Sequence, residues 1–305
     1  MPPGQLLEPS LTESDFTLSC LASGIRSDGR SFLTPRPLSI SFGAELGNVH
    51  VTLGDTRIAT SIRATLSPPR ADRPYEGFLT ITSDISPMAG TEYDASGGAS
   101  SSARARELLF ERLVEKAVRR TEAVDRESLC VVAGEQVWDV QLTLHLLSDA
   151  GGALDAAVLA CLASLRHFRR NDVSVEGGKV RLFGLDERVG VPLAIHHTPL
   201  CVSFALFDNV LPPTAEGEDE KAASTGSVAL LDPSLLEEQL AQSKLTLVLN
   251  AQREICVLDK SYGSPIDPRL LLDLIQVGLR RVQELTESLD EALRRDAETR
   301  VVEVI

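Results

Sequence analysis

The residues best equipped for chemistry in this chain are cations. Arg104, Arg106, Arg112, Lys116, Arg119 and Arg120 fall within one predicted helix, where they face Glu107, Glu111 and Glu115. Arg112, Lys116 and Arg119 are spaced i, i+4, i+7, so they share one helix face. Such a ridge can track a phosphate backbone. The loop at residues 67–77 adds Arg70 and Arg73, with Tyr75 available to stack on a base. The same spacing also describes a solvated face laced with Glu/Arg pairs, and taken alone it favours that reading.

Three other groups carry side chains suited to binding or catalysis. Arg26-Ser27-Asp28-Gly29-Arg30 is a turn whose flanking arginines can bind carboxylates with two hydrogen bonds each; alone it is a structural turn. Residues 96–104, SGGASSSAR, open a helix and could cradle phosphate as in small-molecule kinases. That loop lacks the ordered Gly-Leu-Gly-Ser-Ser core, so a connector with a serine N-cap is favoured. His196 and His197 are adjacent, so on a strand they point to opposite faces and cannot share a metal. No GxSxG, HExxH or phosphate-loop motif occurs, and no metal site or cofactor is expected.

The elements that must position these groups alternate between strands and helices. Residues 1–24 are expected to form an N-terminal arm with a short helix near 13–22. Residues 38–66 alternate as strands, with hairpin signals at Gly47-Asn48 and Gly54-Asp55, and 78–85 is a further strand. A helix is predicted over 103–123 with Leu109, Leu113, Val114, Ala117 and Val118 on its apolar face. A strand over 136–147 then leads through Asp149-Ala150-Gly151-Gly152 into a helix over 153–168 that is apolar all round and hence buried. Strands follow near 173–183 and 199–207, then a proline-rich and acidic loop at 209–226. Strands near 228–231, 245–250 and 254–258 precede a last helix over 268–293. The reading is α/β (α+β) with two similar halves, 25–208 and 227–305.

The chain has 305 residues and a formal net charge of −14, which argues against a protein that coats nucleic acid non-specifically. The charge is uneven. Residues 104–120 and 57–73 each carry +3, whereas 216–238 carry −6. The five cysteines are scattered and without CxxC spacing, as expected of reduced thiols in a cytosolic or nuclear protein. The first fifteen residues have neither the basic nor the apolar region of a signal peptide, and no stretch is long enough to span a bilayer.

Taken together, the ordered segments resemble the RNase PH family over residues 24–293. They are RSDGR at 26–30, GNVHVTLGDTRIATSI at 47–62, FLTITSDISPMA at 78–89, ELLFERLVEKAVRR at 107–120, VAGEQVWDVQLTLHLLSDAGGALDAAVLACLASL at 132–165 and VPLAIHHTPLCVSFALFD at 191–208. Within the family, HFRRNDVSV and VPLAIHHTPLCVSF look most like a ring subunit of the eukaryotic RNA exosome. The group is that of the polymyositis/scleroderma autoantigen, itself similar to the non-catalytic ring subunit of archaea. The resemblance implies an RNase PH fold, with duplicated βαβα halves of the ribosomal protein S5 domain 2-like type. It implies a six-membered ring with edge strands paired between subunits, so isolated chains are expected to aggregate.

The resemblance also implies departures. Active relatives carry an Asp-x-Gly-Gly-Thr-Arg turn whose Thr and Arg hold the attacking phosphate, where this chain has Ala153 and Leu154. They place two aspartates six residues apart on a later strand, where this chain has Val191 and His197. Without a phosphate clamp and an acid pair the phosphorolytic transition state lacks charge stabilisation, so no catalysis is expected. The alternative is an active phosphate-dependent 3′-to-5′ exoribonuclease. With the resemblance in view, the weighting of the basic helix reverses. Arg112, Lys116 and Arg119, with Arg104, Arg106, Arg70 and Arg73, are expected to bind single-stranded RNA. The expected partners are other RNase PH-like ring subunits, cap subunits and exosome-associated ribonucleases, with no membrane. The expected setting is rRNA maturation and mRNA turnover in the nucleus, nucleolus and cytoplasm.

Overall fold

The structure is a computed structural model, and it describes residues 9–90, 93, 100–176, 179–185, 187–208 and 227–300. Two sheets face each other across a layer of helices. The first holds β1 (Leu38–Phe42), β2 (Val49–Leu53), β3 (Thr56–Ser67), β4 (Phe78–Ile85), β5 (Cys130–Val132) and β6 (Gln136–Ser148), in the order β1-β2-β3-β6-β4 with β5 also paired to β6. All its pairings are antiparallel except β4 with β6. Alternation sets its faces: Ile58, Ile62, Leu79, Ile81, Val140, Leu142 and Leu144 turn inward and are buried, while Arg63, Thr80, Thr82 and Gln141 face out.

Between the sheets lie α2 (Ser100–Val118), α3 (Ala153–His167) and α5 (Pro268–Thr299). The all-round apolar sequence of α3 has its reason here. The helix packs against β2, β3 and β6 on one side and against β11 (Leu200–Asp208) on the other, and residues Ala156 to Leu165 are all buried. Cys161 and Cys201 are buried free thiols, and burial pushes the pKa of both up. Two short two-stranded ladders stand outside the main sheets. β7 (Arg169–Arg170) pairs with β10 (Val191–Pro192), and β8 (Val173–Glu176) pairs with β9 (Lys179–Leu182).

The second sheet runs β12-β11-β13-β14, with β12 at Ser227–Leu231, β13 at Ser243–Leu249 and β14 at Ile255–Ser261. The strand expected near 199–207, placed with the first half on sequence, pairs with β12 and β13 among the described residues. It is buried on both faces, and its side chains part between two cores. Phe204 and Leu206 join the helical layer, whereas Ala205 and Phe207 meet Leu21 and Phe32 from the N-terminal segment. The arm is therefore a covering layer. Its helix α1 (Leu11–Ala22) opens on a capping box in which Ser10 and Glu13 satisfy each other's backbone. It buries Leu21 completely, a gain of about 1.5–3 kcal/mol.

The helix α2 differs from expectation in two ways. Leu109 is 59% exposed and Phe110 takes its place against the core. Also, α2 stops at Val118 rather than 123: the Thr121 hydroxyl takes the carbonyls of Ala117 and Val118, and Glu122 turns left-handed at φ 56°. The acidic loop 209–226 and the loop 94–99 lie outside the described residues. Among the described residues no helix is long and apolar enough to cross a membrane.

The end of α3 is bolted to the β1–β2 turn. His167 Nδ1 accepts from the Gly47 N–H at 3.1 Å, so Nε2 carries the proton and donates to Asp296 at 3.1 Å. Burial, with the nearby arginines, holds the His167 pKa below its usual 6.5 despite Asp296. The unfolded chain takes up this proton at higher pH than the fold does. Stability is therefore full above pH 6.5 and falls as pH drops toward the folded value. A melting series from pH 7.5 to 5.5 should show this loss, and His167→Gln should flatten the slope over that range.

Candidate functional site

The basic helix is placed by the free edge of the first sheet. β4 is an edge strand, and its unpaired amides need acceptors. Glu111 accepts from the Ser83 N–H at 3.3 Å and Glu107 from the Ile85 N–H at 3.4 Å. Ser83 Oγ also donates to the Glu107 carbonyl. Two of the three acids expected to pair with arginines are thus turned to the sheet edge instead. Arg104 and Arg112 are exposed and have no hydrogen bond or ion pair among the described residues. The third acid, Glu115, binds Arg119, which sits in the closing turn. Lys116 crosses to Asp259 of β14 at 3.1 Å, with both side chains about one-third exposed.

The structure brings some of the sequence-predicted cations together and separates others. The loop at residues 67–77 meets the exit from α2: the Gly77 N–H donates to the Arg126 carbonyl, and Glu76 binds both Arg73 at 3.1 Å and Arg126 at 3.2 Å. Arg70 lies over the Phe78 ring at 5.4 Å, and Tyr75 is 64% exposed. Arg104 is about 22 Å from Arg119 along the helix axis. Arg106 sits about a third of a turn off the Arg112 stripe and is half-buried, so it flanks the ridge. Leu108 and Leu109, 49% and 59% exposed, share the outer surface with Arg104 and Arg112.

The second locus is the turn before α3, and it depends on residues that sequence reasoning missed. A short helix, α4 (Leu235–Leu240), docks on it. Its signal was legible: Ser234 and Glu237 form a capping box after Pro233. The Leu235 N–H donates to the Ala150 carbonyl. Every described amide of the turn finds a partner inside the chain: Ala150 to Thr56 Oγ1 at 3.1 Å, Gly151 to Asp149 at 2.9 Å, Gly152 to Glu238 at 2.9 Å. The two glycines are required by crowding as well as by positive φ. A Cβ on Gly151 would lie 2.5 Å from the α4 backbone, and one on Gly152 would lie 2.6 Å from the Arg36 guanidinium.

Arginines tie this turn to the second sheet. Arg36 donates to Asp232 from its backbone at 2.7 Å, from Nε at 3.0 Å and from Nη2 at 2.6 Å, while Nη1 reaches the Ala150 carbonyl and Nη2 also the Gly151 carbonyl. Burial works against its charge, and Asp232 outweighs it to raise the pKa. Arg26 of the RSDGR turn is fully buried, with Nε and Nη2 on the two oxygens of Glu237 and further bonds to the Leu231 and Asp232 carbonyls. Arg30 pairs with Asp28 at 2.6 Å. Asp155, in the first turn of α3, accepts from the Ser203 N–H and hydroxyl, while burial pushes its pKa up. Burial opposes the Lys244 charge, and Glu238 at 3.0 Å outweighs it to raise that pKa.

The positions singled out for phosphate and acid chemistry stand as follows. Ala153 is partly buried against the core and Leu154 is 7% exposed within it. Val191 is paired to Arg170 in β10, and His197 lies in the segment leading to β11. His196 borders a cavity with Glu76, Asp125 and Glu127. Among the described residues no cluster of three or more His, Cys, Asp or Glu side chains could hold a metal.

Two sheets enclosing a helical layer, with a glycine turn starting the central helix, define a chain of RNase PH type. Residues 34–171 match the 3′ exoribonuclease family, domain 1, and residues 197–281 match its domain 2; the chain belongs to this family. The boundary between the two matches falls before β11, as the sheet pairing does. The chain is 36% identical over 293 residues to exosome complex component rrp45 of Schizosaccharomyces pombe, covering 95% of this chain and 94% of that one. It is 36% identical over 290 residues to exosome complex component RRP45 of Homo sapiens, covering 94% of this chain and 61% of that one. A solved chain described as an Archaeoglobus fulgidus exosome with RNA bound to the active site shares the fold, with a TM-score of 0.70 and 24% identity, covering 91% of this chain and 97% of that one.

Glu238 is the test of how the α3 turn is held. Glu238→Ala leaves the Gly152 N–H and the Lys244 ammonium without their partner, and should cost about 1–3 kcal/mol in denaturant unfolding. Glu238→Gln keeps an acceptor oxygen and should cost less.

Proposed function

We propose that this chain is a non-catalytic ring subunit of an RNA exosome, supporting 3′-to-5′ RNA processing and helping to thread single-stranded RNA. The names of its relatives support exosome membership. The observation that carries the non-catalytic half is the occupied α3 turn. A helix N-terminus bordered by two glycines is suited to an anion, but here the Gly152 N–H already holds Glu238, with Asp149, Asp155 and Asp232 close by. A phosphate would have to displace the Glu238 carboxylate, and the cations beside the turn, Arg36 and Lys244, are already paired with Asp232 and Glu238. The side chains that resembling active relatives use to hold it are replaced by Ala153 and Leu154. Phosphorolysis then has neither a bound nucleophile nor an acid pair.

In this reading the α2 ridge is one wall of an RNA path shared with other RNase PH-like subunits, cap subunits and associated ribonucleases, in nucleus and cytoplasm. Turning Glu107 and Glu111 to the β4 edge supports it, because it leaves Arg104 and Arg112 uncompensated on the outer face. The exposed leucines on that face favour a protein neighbour beside the path.

Two measurements test the proposal. The purified chain should release no nucleoside diphosphate from oligoadenylate in phosphate buffer; release would restore the active-exoribonuclease reading. In the assembled complex, Arg112, Lys116 and Arg119 changed together to alanine should weaken RNA binding and lower the salt slope by roughly two units, at about 0.7 per phosphate contact. Because Lys116 is held by Asp259, Asp259→Asn should strengthen binding by up to about fivefold, the worth of an exposed ion pair. An unchanged slope in the triple variant would return the ridge to an ordinary solvated face.

A further inference from the structure

A cavity of about 460 Å³ opens where the C-terminal ends of α3 and α5 meet the loop before β10. That volume falls within the roughly 300–1,000 Å³ typical of ligand sites. It lies away from the α2 ridge and the α3 turn, and nothing in the function proposed above uses it. Four arginines line it: Arg166, Arg169, Arg294 and Arg300. Leu46, Leu185, Val189 and Leu293 give the rest of the lining an aliphatic surface.

The charges are not balanced. Arg300 is consumed structurally, donating to the Gly43 and Ala44 carbonyls and to Asp296. Arg166 pairs with Asp290 at 2.6 Å. Asp296, the one acid lining the cavity among the described residues, is held by Arg300 and His167, and although burial works to raise its pKa these partners hold it below the usual carboxylate value. That leaves two cations. Arg169 donates only to the Arg166 and Phe168 carbonyls and has no carboxylate partner among the described residues; burial lowers its pKa. Arg294 is exposed and has no hydrogen bond or ion pair among the described residues. In a chain of net charge −14, two uncompensated cations on one cavity rim are a local exception.

The cavity is also built in advance. Arg169 stands on β7, paired with Pro192 of β10. Gly190 allows the β10 approach to press against it: a Cβ there would lie 2.7 Å from Arg169 Cβ and 2.9 Å from Leu185 Cδ2. Leu185 and Val189 are 40% and 70% exposed, an apolar surface facing solvent beside the free cations.

We propose that this cavity is a docking site for an acidic peptide segment of a partner protein, with carboxylates on Arg169 and Arg294 and an aliphatic side chain against Leu185 and Val189. Charge complementarity names the acidic partner. The aliphatic lining selects peptide over RNA: among the described residues no Phe, Tyr or Trp lines the cavity, and it is aromatic faces on which unpaired bases stack. A carboxylate flanked by Leu, Ile or Val satisfies both kinds of lining at once.

The test uses the purified full chain and a fluorescein-labelled dodecapeptide of six glutamates and two leucines in a Gly/Ser background, followed by anisotropy. Binding should be saturable. It should weaken by about tenfold or more with Arg294→Glu and with Val189→Asp, both exposed positions whose change leaves the fold intact. Arg295→Glu, one residue along and paired with Glu291 outside the cavity, should change it by less than about threefold. Peptides with alanine for leucine, or lysine for glutamate, should bind more weakly. The proposal is overturned if the glutamate peptide does not bind, if Arg294→Glu and Arg295→Glu act alike, or if Arg294→Glu lowers oligoadenylate binding and leaves the peptide unaffected. None of these outcomes bears on phosphorolysis or on the α2 salt slope, so the two proposals fail separately.

Discussion

Two arginines ahead of the first sheet hold the molecule in register. Arg26 is buried against Glu237, and Arg36 against Asp232. Asp232 follows β12 directly and Glu237 lies in the first turn of α4, so these pairs fasten the N-terminal segment to the second sheet and to α4 before the first sheet begins. A pair this deep gains little over a well-packed apolar substitute, but loss of one partner leaves a bare charge in the interior and costs about 3–5 kcal/mol. The guanidinium is suited to this position because its planar fork matches both carboxylate oxygens while its other nitrogens reach the Leu231 and Asp232 carbonyls. The left-handed backbone at Asp232, φ 51°, is one consequence, held by the arginines that converge on it.

The same constraint reaches the α3 turn. Arg36 bonds the carbonyls of Ala150 and Gly151, and α4, positioned by the Arg26–Glu237 pair, brings Glu238 to the Gly152 amide. The part of the fold that would be open to an anion is thus closed by the interactions that join the two halves. Opening it would require withdrawing α4 and breaking the clamp. While those contacts stand, a single substitution at Ala153 or Leu154 leaves the Ala150, Gly151 and Gly152 amides committed.

The residues made the layers legible and the joints less so. Period-two alternation in β3 and β6 and the uniformly apolar α3 report burial on one face and on all faces respectively, and both are properties of single elements. The errors fall where elements meet. β11 carries an unbroken apolar run because helices cover one face and α1 the other, and nothing within the strand says which sheet it joins. The capping box of α4 was readable, yet its docking on a turn eighty residues earlier was not, since that contact is written in Gly151 and Gly152 only as an absence of side chains. Leu109 and Phe110 are adjacent apolar residues, and which one faces inward depends on how α2 settles over β4. For the basic ridge, the cations could be seen in the sequence, but the disposition of their acids could not.

That disposition matters more to electrostatics than the sum. Glu107 and Glu111 count against the arginines in any tally along the helix, yet in the fold they satisfy edge amides of β4 and lie beneath the surface the arginines present. Glu115 and Asp259 stay on the ridge and hold Arg119 and Lys116. The ridge therefore has one end with free cations, Arg104 and Arg112, and one end whose cations must exchange an internal carboxylate for any external phosphate. An exchange of this kind is nearly neutral in free energy, so under the function proposed above it would let a polyanion slide rather than stay. A net charge of −14 is compatible with such a surface because screening limits each exposed charge to neighbours within about 10 Å, so the acids elsewhere neither strengthen nor abolish it.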